Sequence, residues 1–243
     1  LNNSKTVDES MVRHMILNSI RMYRKEHHSE YGEVVLTWDS KHSWRRDYYP
    51  EYKASRRKGR EESDLNWDDI FGTLNKIRNE IKQNFPYKYL EVFGAEADDI
   101  IGYLCEENRD EKILIISGDK DFIQLQKYTN VTQWSPITKK QVNGFDPTIY
   151  LKEHILKGDT SDGVPNVLSP DNTFTDGLRQ RPLTRKKIQS WLVGGGSDWN
   201  DEVKRNFQRN FTLIDLTQTP EELKNQIRLE YNNAPHGDRS KLL

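Results

Sequence analysis

Two aspartates stand directly after one of the most apolar stretches of the chain. The run Ile113-Leu-Ile-Ile116 has the pattern of a buried parallel strand, and Ser117-Gly118 ends it before Asp119 and Asp121. Ligand sites in open α/β sheets collect just outside the carboxyl ends of the strands. Two carboxylates at such a place repel each other, so they indicate a compensating cation.

Three more acidic groups occupy similar positions. Asp39 closes the apolar run 34–38, Glu96-Ala-Asp-Asp99 begins a helix after a short strand, and Asp159-Thr-Ser-Asp162 follows another helix. One such group alone is commonly a helix cap or a turn, but four together favour hard divalent cations, as in two-metal phosphatases, polymerases and nucleases. We predict two Mg²⁺ sites, with Mn²⁺ as a substitute, because both ions prefer oxygen ligands. The predicted ligands are Asp39, Glu96, Asp98, Asp99, Asp119, Asp121, Asp159 and Asp162.

A strongly basic segment follows Asp39. Residues 41–60 hold eight basic and two acidic residues, a net charge of +6, with four large aromatic and few aliphatic side chains. Because such a segment has little apolar surface to bury, we expect a mobile loop or a partly helical arch. Its charge suits phosphates, and Tyr48, Tyr49 and Tyr52 could stack on unpaired bases. A solvated run of charge is the alternative interpretation.

Strands and helices alternate around these groups. Apolar runs predict strands at 34–38, 89–92, 112–117 and 131–135, and helical spacing predicts helices at 11–23, 64–85, 95–106 and a short one at 122–125. Asp64 is the expected N-cap of the second helix. Beyond residue 147 only helical or loop patterns occur. The predicted fold is therefore α/β, a mostly parallel central sheet flanked by helices, with a helical C-terminal lobe.

Two parts are expected within this fold. Residues 1–146 would form the α/β core with the basic arch at 41–62, and residues 147–243 would form a helical subdomain. A second basic cluster could bring duplex DNA to that subdomain; its members are Arg179, Arg181, Arg185, Lys186 and Lys187.

Composition excludes several classes of protein. The 243 residues carry a formal net charge of −1, with 31% charged residues and a mean hydropathy of −0.93, so only local clusters of charge could bind nucleic acid. The single Cys105 rules out an intramolecular disulfide and fits a reducing compartment. No apolar run approaches the roughly 18 residues of a membrane span, and no signal peptide is evident.

Six motifs in order give the chain a resemblance to the 5′-nuclease (flap endonuclease) superfamily. They are Trp38-Asp39, Trp44-Arg-Arg46, Pro50-Glu-Tyr-Lys53 with Arg56, Ala95-Glu-Ala-Asp-Asp99, Ser117-Gly-Asp-Lys-Asp-Phe122 and Lys157-Gly-Asp-Thr-Ser-Asp-Gly-Val-Pro165. The stretches Ser10–His14, Gln133–Pro136 and Ile155–Asp159 are most similar to the bacteriophage members of the family. The family also has an aspartate in a first strand near its N-terminus. This chain shows no such strand, and Asp8 lies in a polar stretch unsuited to that role.

The resemblance implies a role for each matched residue. Asp39, Glu96, Asp98 and Asp119 would form the first metal group, and Asp121, Asp159 and Asp162 the second, with Asp99 nearby. Arg46 and Lys53 would act beside the scissile phosphate. The expected nucleic-acid contacts are Arg45, Tyr49, Tyr52, Arg56, Arg57, Lys58, Arg60, Arg185, Lys186 and Lys187.

The implied function is a Mg²⁺-dependent 5′→3′ exonuclease and flap endonuclease of the ribonuclease H type. It would remove RNA primers and short DNA flaps during phage replication, as a monomer in the cytoplasm of the infected host. Forked DNA and RNA/DNA hybrid are the implied substrates, and a single-stranded DNA-binding protein and a sliding clamp are the implied partners. The alternatives are a nucleic-acid-binding module without catalysis, which the missing first aspartate would allow, and a PIN-like ribonuclease.

Overall fold

The computed structural model describes residues 7–234, apart from the side chains of residues 57 and 58. Its strands are β1 (Val35–Thr37), β2 (Lys88–Leu90), β3 (Ile113–Ile116), β4 (Val131–Ser135) and β5 (Lys140–Gln141). Its α-helices are α1 (Glu9–Tyr31), α2 (Trp44–Tyr48), α3 (Ser55–Glu61), α4 (Trp67–Asn84), α5 (Ala97–Glu107), α6 (Pro147–Lys157), α7 (Arg185–Gly194), α8 (Asp201–Ile214) and α9 (Glu221–Asn233). A 3₁₀ helix, Lys120–Lys127, follows β3, and shorter ones cover Asp171–Thr173 and Leu216–Gln218.

The strands pair in parallel as predicted, but they divide into two sheets. β1 pairs with β2, and β3 pairs with β4, with the two-residue β5 antiparallel at the edge. The predicted α/β fold with a mostly parallel sheet is therefore confirmed, and the division into two sheets is a detail that the sequence did not reveal. Within residues 7–234 no strand hydrogen-bonds to both β1 and β3, and such a strand would be needed to join the two sheets.

Local sequence explains most helix boundaries. Asp8 caps α1, with its carboxylate accepting a hydrogen bond from Met11 N at 3.0 Å. The predicted cap of α4 was Asp64, but Asn66 performs that role and accepts from Asp69 N at 3.1 Å. The chain still turns at Ser63, so the helix begins two residues later than its apolar spacing suggested.

The residues beyond 147 are helical, as expected, and they pack on the N-terminal part in two places. Ile227 of α9 lies in a cluster with Leu90, Val92 and Ile100. Leu213 of α8 lies in a second cluster that also holds two tyrosines of the basic arch. The α/β layer therefore obtains much of its apolar cover from helices that are distant in the sequence.

This packing corrects the expectation for the first half of the basic arch. Tyr49 and Tyr52 are buried against Ile155, Val164 and Leu213, so residues 44–53 are not poor in apolar contacts, and α2 gives them the partly helical form that was one of the two expected. The segment has few aliphatic residues of its own, but α6 and α8 supply the surface that its aromatic rings need. Exposed charge is found in both halves, at Arg46 in α2 and at Arg56 in α3.

No helix within residues 7–234 combines the length and the apolar character that a membrane crossing requires.

Candidate active site

Carboxylates from three separate motifs face one another in the structure. Asp98 lies in the first turn of α5, Asp119 and Asp121 follow β3, and Asp159 follows α6. Burial together with repulsion from Asp119 and Asp121 raises the pKa of Asp98 to about 8. Asp98, at the start of α5, is therefore close enough to the two acids after β3 for their charges to affect it strongly.

The turn after β3 fixes the next two acids. Asp119 is the N-cap of the following 3₁₀ helix, and its carboxylate accepts from Asp121 N at 3.0 Å. Burial raises the pKa of Asp121 to about 7, and Asp119, Asp159 and Asp162 add to the effect, although His154 opposes it. An open cleft of about 690 Å³ lies over this turn and over residues 158–161.

The loop after α6 presents Asp159. Its Oδ1 accepts hydrogen bonds from the Ser161 backbone N–H and hydroxyl, both at 2.7 Å. Although burial favours the neutral acid, contact with His154 and the bonds from Ser161 hold the pKa of Asp159 well below its ordinary value. Gly158 makes this turn possible, because at φ +69° any Cβ would overlap the carbonyl oxygen of Val164.

Basic side chains of the arch reach the edge of the acidic cluster. Lys53 Nζ lies 2.6 Å from Glu96 Oε1 and 3.6 Å from Asp162 Oδ2. Arg56 pairs with the other oxygen of Asp162 and donates to Ser161 O at 3.1 Å. Lys53 and Arg56, which are predicted to meet the substrate phosphates, therefore bind carboxylates in the free protein.

The backbone of Lys53 adopts a strained conformation beside the acidic cluster. Its φ of 57° lies in the left-handed region, which is costly for a side chain other than glycine. Lys53 N donates to Asp162 O at 2.7 Å, and Gly163 allows the close approach, since a Cβ there would lie 3.0 Å from Glu51 O. The arch and the Asp162 loop thus fix each other's backbone.

Asp99, one of the predicted metal ligands, is buried in an ion pair in the structure. It has no solvent exposure, and the Arg45 guanidinium pairs with both of its oxygens at 2.9 Å. Trp44 Nε1 and Thr219 Oγ1 also donate to it, at 3.2 and 2.8 Å. Although burial opposes ionisation, Arg45 lowers the pKa of Asp99. Both of its oxygens accept hydrogen bonds from protein donors in this structure.

Three of the predicted nucleic-acid contacts are buried in the structure. Arg45 is 2% exposed, and its guanidinium pairs with Asp99 and Glu96 and donates to the carbonyl of Leu213. Tyr49 donates to Asp171 O at 2.6 Å, and the Tyr52 hydroxyl lies 2.8 Å from a carboxylate oxygen of Glu96 and of Asp162, to one of which it donates its proton. None of these three rings or guanidiniums can stack on a base from such positions. Tyr52 instead joins the arch to the acidic cluster.

The other predicted residues are distributed over the surface. Asp39 is exposed and accepts from Ala97 N at 2.7 Å, so the loop after β1 reaches the first turn of α5. Arg46 is exposed on α2, and Arg60 lies with its guanidinium 5.9 Å from the Phe71 ring. Exposed positions at the start of α7 hold the three residues Arg185, Lys186 and Lys187. The side chains of Arg57 and Lys58 lie outside the described residues.

Sequence reasoning missed His154. Its ring lies between two acids, with Nδ1 3.4 Å from Asp121 Oδ1 and Nε2 3.5 Å from Asp159 Oδ2. Helical spacing alone placed it on α6 without a partner. The signal that could have found it is the helix stop at Gly158, which turns the chain back so that Asp159 faces the last turn of α6.

The residues of this cluster fit divalent cations. Asp98 and Asp121 have pKa values raised to about 8 and 7, so in the free protein mutual repulsion and burial oppose their ionisation at neutral pH. A bound cation removes that penalty. One oxygen or nitrogen from each of Asp121, His154 and Asp159 lies within 4.8 Å of the others, which is close enough to share an ion.

Comparison with known proteins agrees with the predicted family and fold. The model of the 5′-3′ exonuclease, N-terminal resolvase-like domain, matches residues 1–154. Ribonuclease H of Enterobacteria phage T4 is 35% identical over 254 residues, covering 97% of this chain and 82% of the phage protein. The resemblance to the 5′-nucleases, and to their bacteriophage members in particular, is thus confirmed.

Solved structures show the same fold at lower identity. The bacteriophage T5 5′-exonuclease with zinc ions bound has a TM-score of 0.66 and 18% identity, over 96% of this chain and 93% of that one. The T5 flap endonuclease, in a pseudo-enzyme–product complex with DNA and metal ions, has a TM-score of 0.64 and 17% identity, over 96% and 92% of the two chains. The chain described here therefore belongs to the 5′→3′ exonuclease family and is a metal-dependent 5′ nuclease of the group that includes ribonuclease H and the flap endonucleases.

Proposed function

We propose that this nuclease uses Mg²⁺, or Mn²⁺ in its place, to remove RNA primers and short DNA flaps from RNA/DNA and DNA duplexes during phage replication. One observation carries the proposal. Asp98 of α5, Asp121 after β3, and Asp159 and Asp162 after α6 line one small cavity, and two cations of the arch, Lys53 and Arg56, pair with Asp162 at its edge. The phage T4 relative named ribonuclease H and the DNA-bound T5 flap endonuclease support this choice of substrates.

The acids divide into two groups by position. Asp98 and Asp119, with Asp39 and Glu96 beside them, would hold one cation, and Asp121, Asp159 and Asp162 would hold the other. Bound divalent cations supply activation of the attacking water and stabilisation of the leaving 3′-oxygen. The role of the protein is to keep these carboxylates in place through the capping bond of Asp119 and the Ser161 bonds to Asp159.

Lys53 and Arg46 are proposed to act on the scissile phosphate. Lys53 is bound to Glu96 and Asp162 in the free protein, so its ammonium already lies where a phosphate would meet the acidic cluster. A cation fixed at that place stabilises the charge that develops on the phosphate during hydrolysis. Arg46 is exposed on α2 and could reach the phosphate from the solvent side.

The nucleic acid would follow two basic surfaces. Arg56, Arg57, Lys58 and Arg60 of α3 would contact the single-stranded arm through its phosphates. The helical part, residues 147–243, would contact the duplex through the start of α7, where Arg185, Lys186 and Lys187 are exposed. Family resemblance extends the proposal to a monomer in the infected host cytoplasm, with a single-stranded DNA-binding protein and a sliding clamp as partners.

Cleavage of defined substrates tests the function. The purified protein with Mg²⁺ should release short products from a 5′-labelled forked DNA and from an RNA/DNA hybrid, and EDTA should stop the reaction. Asp119→Asn should lower the cleavage rate by at least about 100-fold, since it removes a ligand charge from the first group. Binding to the fork should persist or tighten, because the change removes negative charge near the phosphates.

Asp110→Asn is the matched control, since Asp110 is an exposed acid in the loop after α5. It should cleave at the parental rate. Tight fork binding without cleavage in Mg²⁺ or Mn²⁺ would instead favour a binding module without catalysis. Near-parental cleavage by Asp119→Asn would show that the metal assignment is wrong.

A further inference from the structure

His154 lies among the acids of the cluster, although it was not one of the predicted metal ligands. It lies in the last turn of α6, and its two ring nitrogens face different carboxylates, Asp121 at 3.4 Å and Asp159 at 3.5 Å. Both carboxylates belong to the proposed second cation group. An imidazole placed between two acids of a metal group can serve either as a ligand or as a counter-charge.

Neighbouring groups hold the imidazole in this position. Its side chain is 16% exposed, and the Tyr150 ring packs edge-on against it with centroids 6.0 Å apart. Tyr150, His154 and Asp159 line the same open cleft, so the ring is both restrained and accessible to an ion. A restrained ligand loses little conformational freedom when it binds a metal.

We propose that His154 is a nitrogen ligand of the second cation site, and that it makes this site select borderline transition metals over Mg²⁺. This inference rests on the proposed function, in which Asp121 and Asp159 belong to the second cation site. The three donors lie within 4.8 Å of one another. One ring nitrogen would bind the ion while the other N–H is held by the remaining carboxylate, the usual support of a metal-bound histidine.

Ligand chemistry gives the direction of the selectivity. Imidazole nitrogen suits Zn²⁺ and Co²⁺, whereas Mg²⁺ prefers oxygen donors and keeps several of its waters. The carboxylates alone would suit Mg²⁺ or Mn²⁺. The first group has no histidine among its assigned ligands, so His154 would make the two sites differ in metal preference.

Metal binding to the free protein tests this without reference to cleavage. Calorimetric titration of metal-stripped protein with CoCl₂ and with MgCl₂ should be compared for the parent and His154→Gln. Removing the nitrogen should weaken one Co²⁺ site by about 10- to 100-fold and should change the visible Co²⁺ absorption. Mg²⁺ affinity should change by less than about threefold, since Mg²⁺ gains little from imidazole.

The matched control is His28→Gln, because His28 also pairs with a carboxylate, Glu33 at 3.0 Å, but on the exposed end of α1. It should leave that site unchanged. Equal losses for Co²⁺ and Mg²⁺ in His154→Gln would mean that His154 only positions Asp121 and Asp159, and unchanged Co²⁺ binding would exclude it as a ligand. Either result overturns the proposal. Failure of the proposed function would appear separately, as an inability of the parent to cleave forked DNA with Mg²⁺.

Discussion

Arg45 and Asp99 illustrate how single residues support the acidic cluster without joining it. Both side chains are almost fully buried, and their two-point pairing is completed by Trp44, Thr219 and the backbone N–H of Glu96, 2.8 Å from Asp99 Oδ2. Asp99 neighbours Asp98 in the sequence, so its contacts help to fix the first turn of α5, which carries Asp98. A buried ion pair of this kind gives little net stability, but it is costly to break because one charge is left unpaired.

We expect Arg45→Ala to lower the free energy of unfolding by about 3–5 kcal/mol, because Asp99 and the Leu213 carbonyl would lose their buried donors. Urea unfolding at neutral pH measures the loss. Arg46→Ala, the next residue on the same helix but exposed, should stay within about 0.5 kcal/mol of the parent. A loss below about 1 kcal/mol for Arg45→Ala would mean that water reaches Asp99.

At the scale of elements, the basic arch consists of two halves with different roles. The first half, α2 and the turn to Lys53, is anchored by its tyrosines against α6 and α8. The second half, α3, meets the protein through Arg56, which pairs with Asp162. The anchored half positions Lys53, and α3 is the part proposed to contact phosphates.

The triple variant Arg56→Ala, Arg57→Ala, Lys58→Ala should therefore bind the single-stranded arm more weakly and with a flatter salt dependence. Three phosphate contacts on a single strand account for about two units of slope in a plot of log affinity against log salt. Fluorescence anisotropy with a forked DNA at several salt concentrations gives the slope.

The start of α7 offers a matched comparison of equal charge. A variant with Arg185, Lys186 and Lys187 changed to alanine should weaken binding of a plain duplex more than binding of a single strand. Identical slopes for the α3 variant and the parent on the forked DNA would exclude α3 as a contact. If the α3 variant instead loses mainly duplex binding and the α7 variant loses mainly single-strand binding, the two surfaces have been assigned the wrong way round.

At the scale of the whole molecule, distant segments share the same apolar clusters. Ile227 of α9 has no solvent exposure and packs with Leu90 and Ile100, which lie more than a hundred residues earlier. The N-terminal strands are short and form only a two-stranded sheet, so they need this helix for cover.

Ile227→Ala should therefore destabilise the chain by about 2–5 kcal/mol, the range for truncating a buried isoleucine. The loss should appear in a single unfolding transition followed by far-ultraviolet circular dichroism. Leu229→Ala, on the same helix but 61% exposed, is the control and should differ little from the parent. Two separate transitions would show that α9 and the sheet unfold independently.

Much of this protein followed from its sequence alone. Apolar runs located β1 to β4 to within two residues, and helical spacing located α4 to α9, because both signals arise from local periodicity and burial. The acids at strand ends were found because the carboxyl edge of a parallel sheet is a predictable place. The ordered motifs then led to the family that the comparisons confirm.

Only the tertiary structure decided which charged and aromatic residues serve the site and which serve the core. Asp98 and Asp99 are adjacent and chemically identical, yet Asp99 pairs with Arg45 while Asp98 lies close to other acids. Tyr49 and Tyr52 read as exposed because their cover comes from α6 and α8, about a hundred or more residues away. His154 gained its partners through a turn at Gly158. Local periodicity cannot predict such long-range contacts. Burial and pairing at these positions are therefore known only from the complete fold.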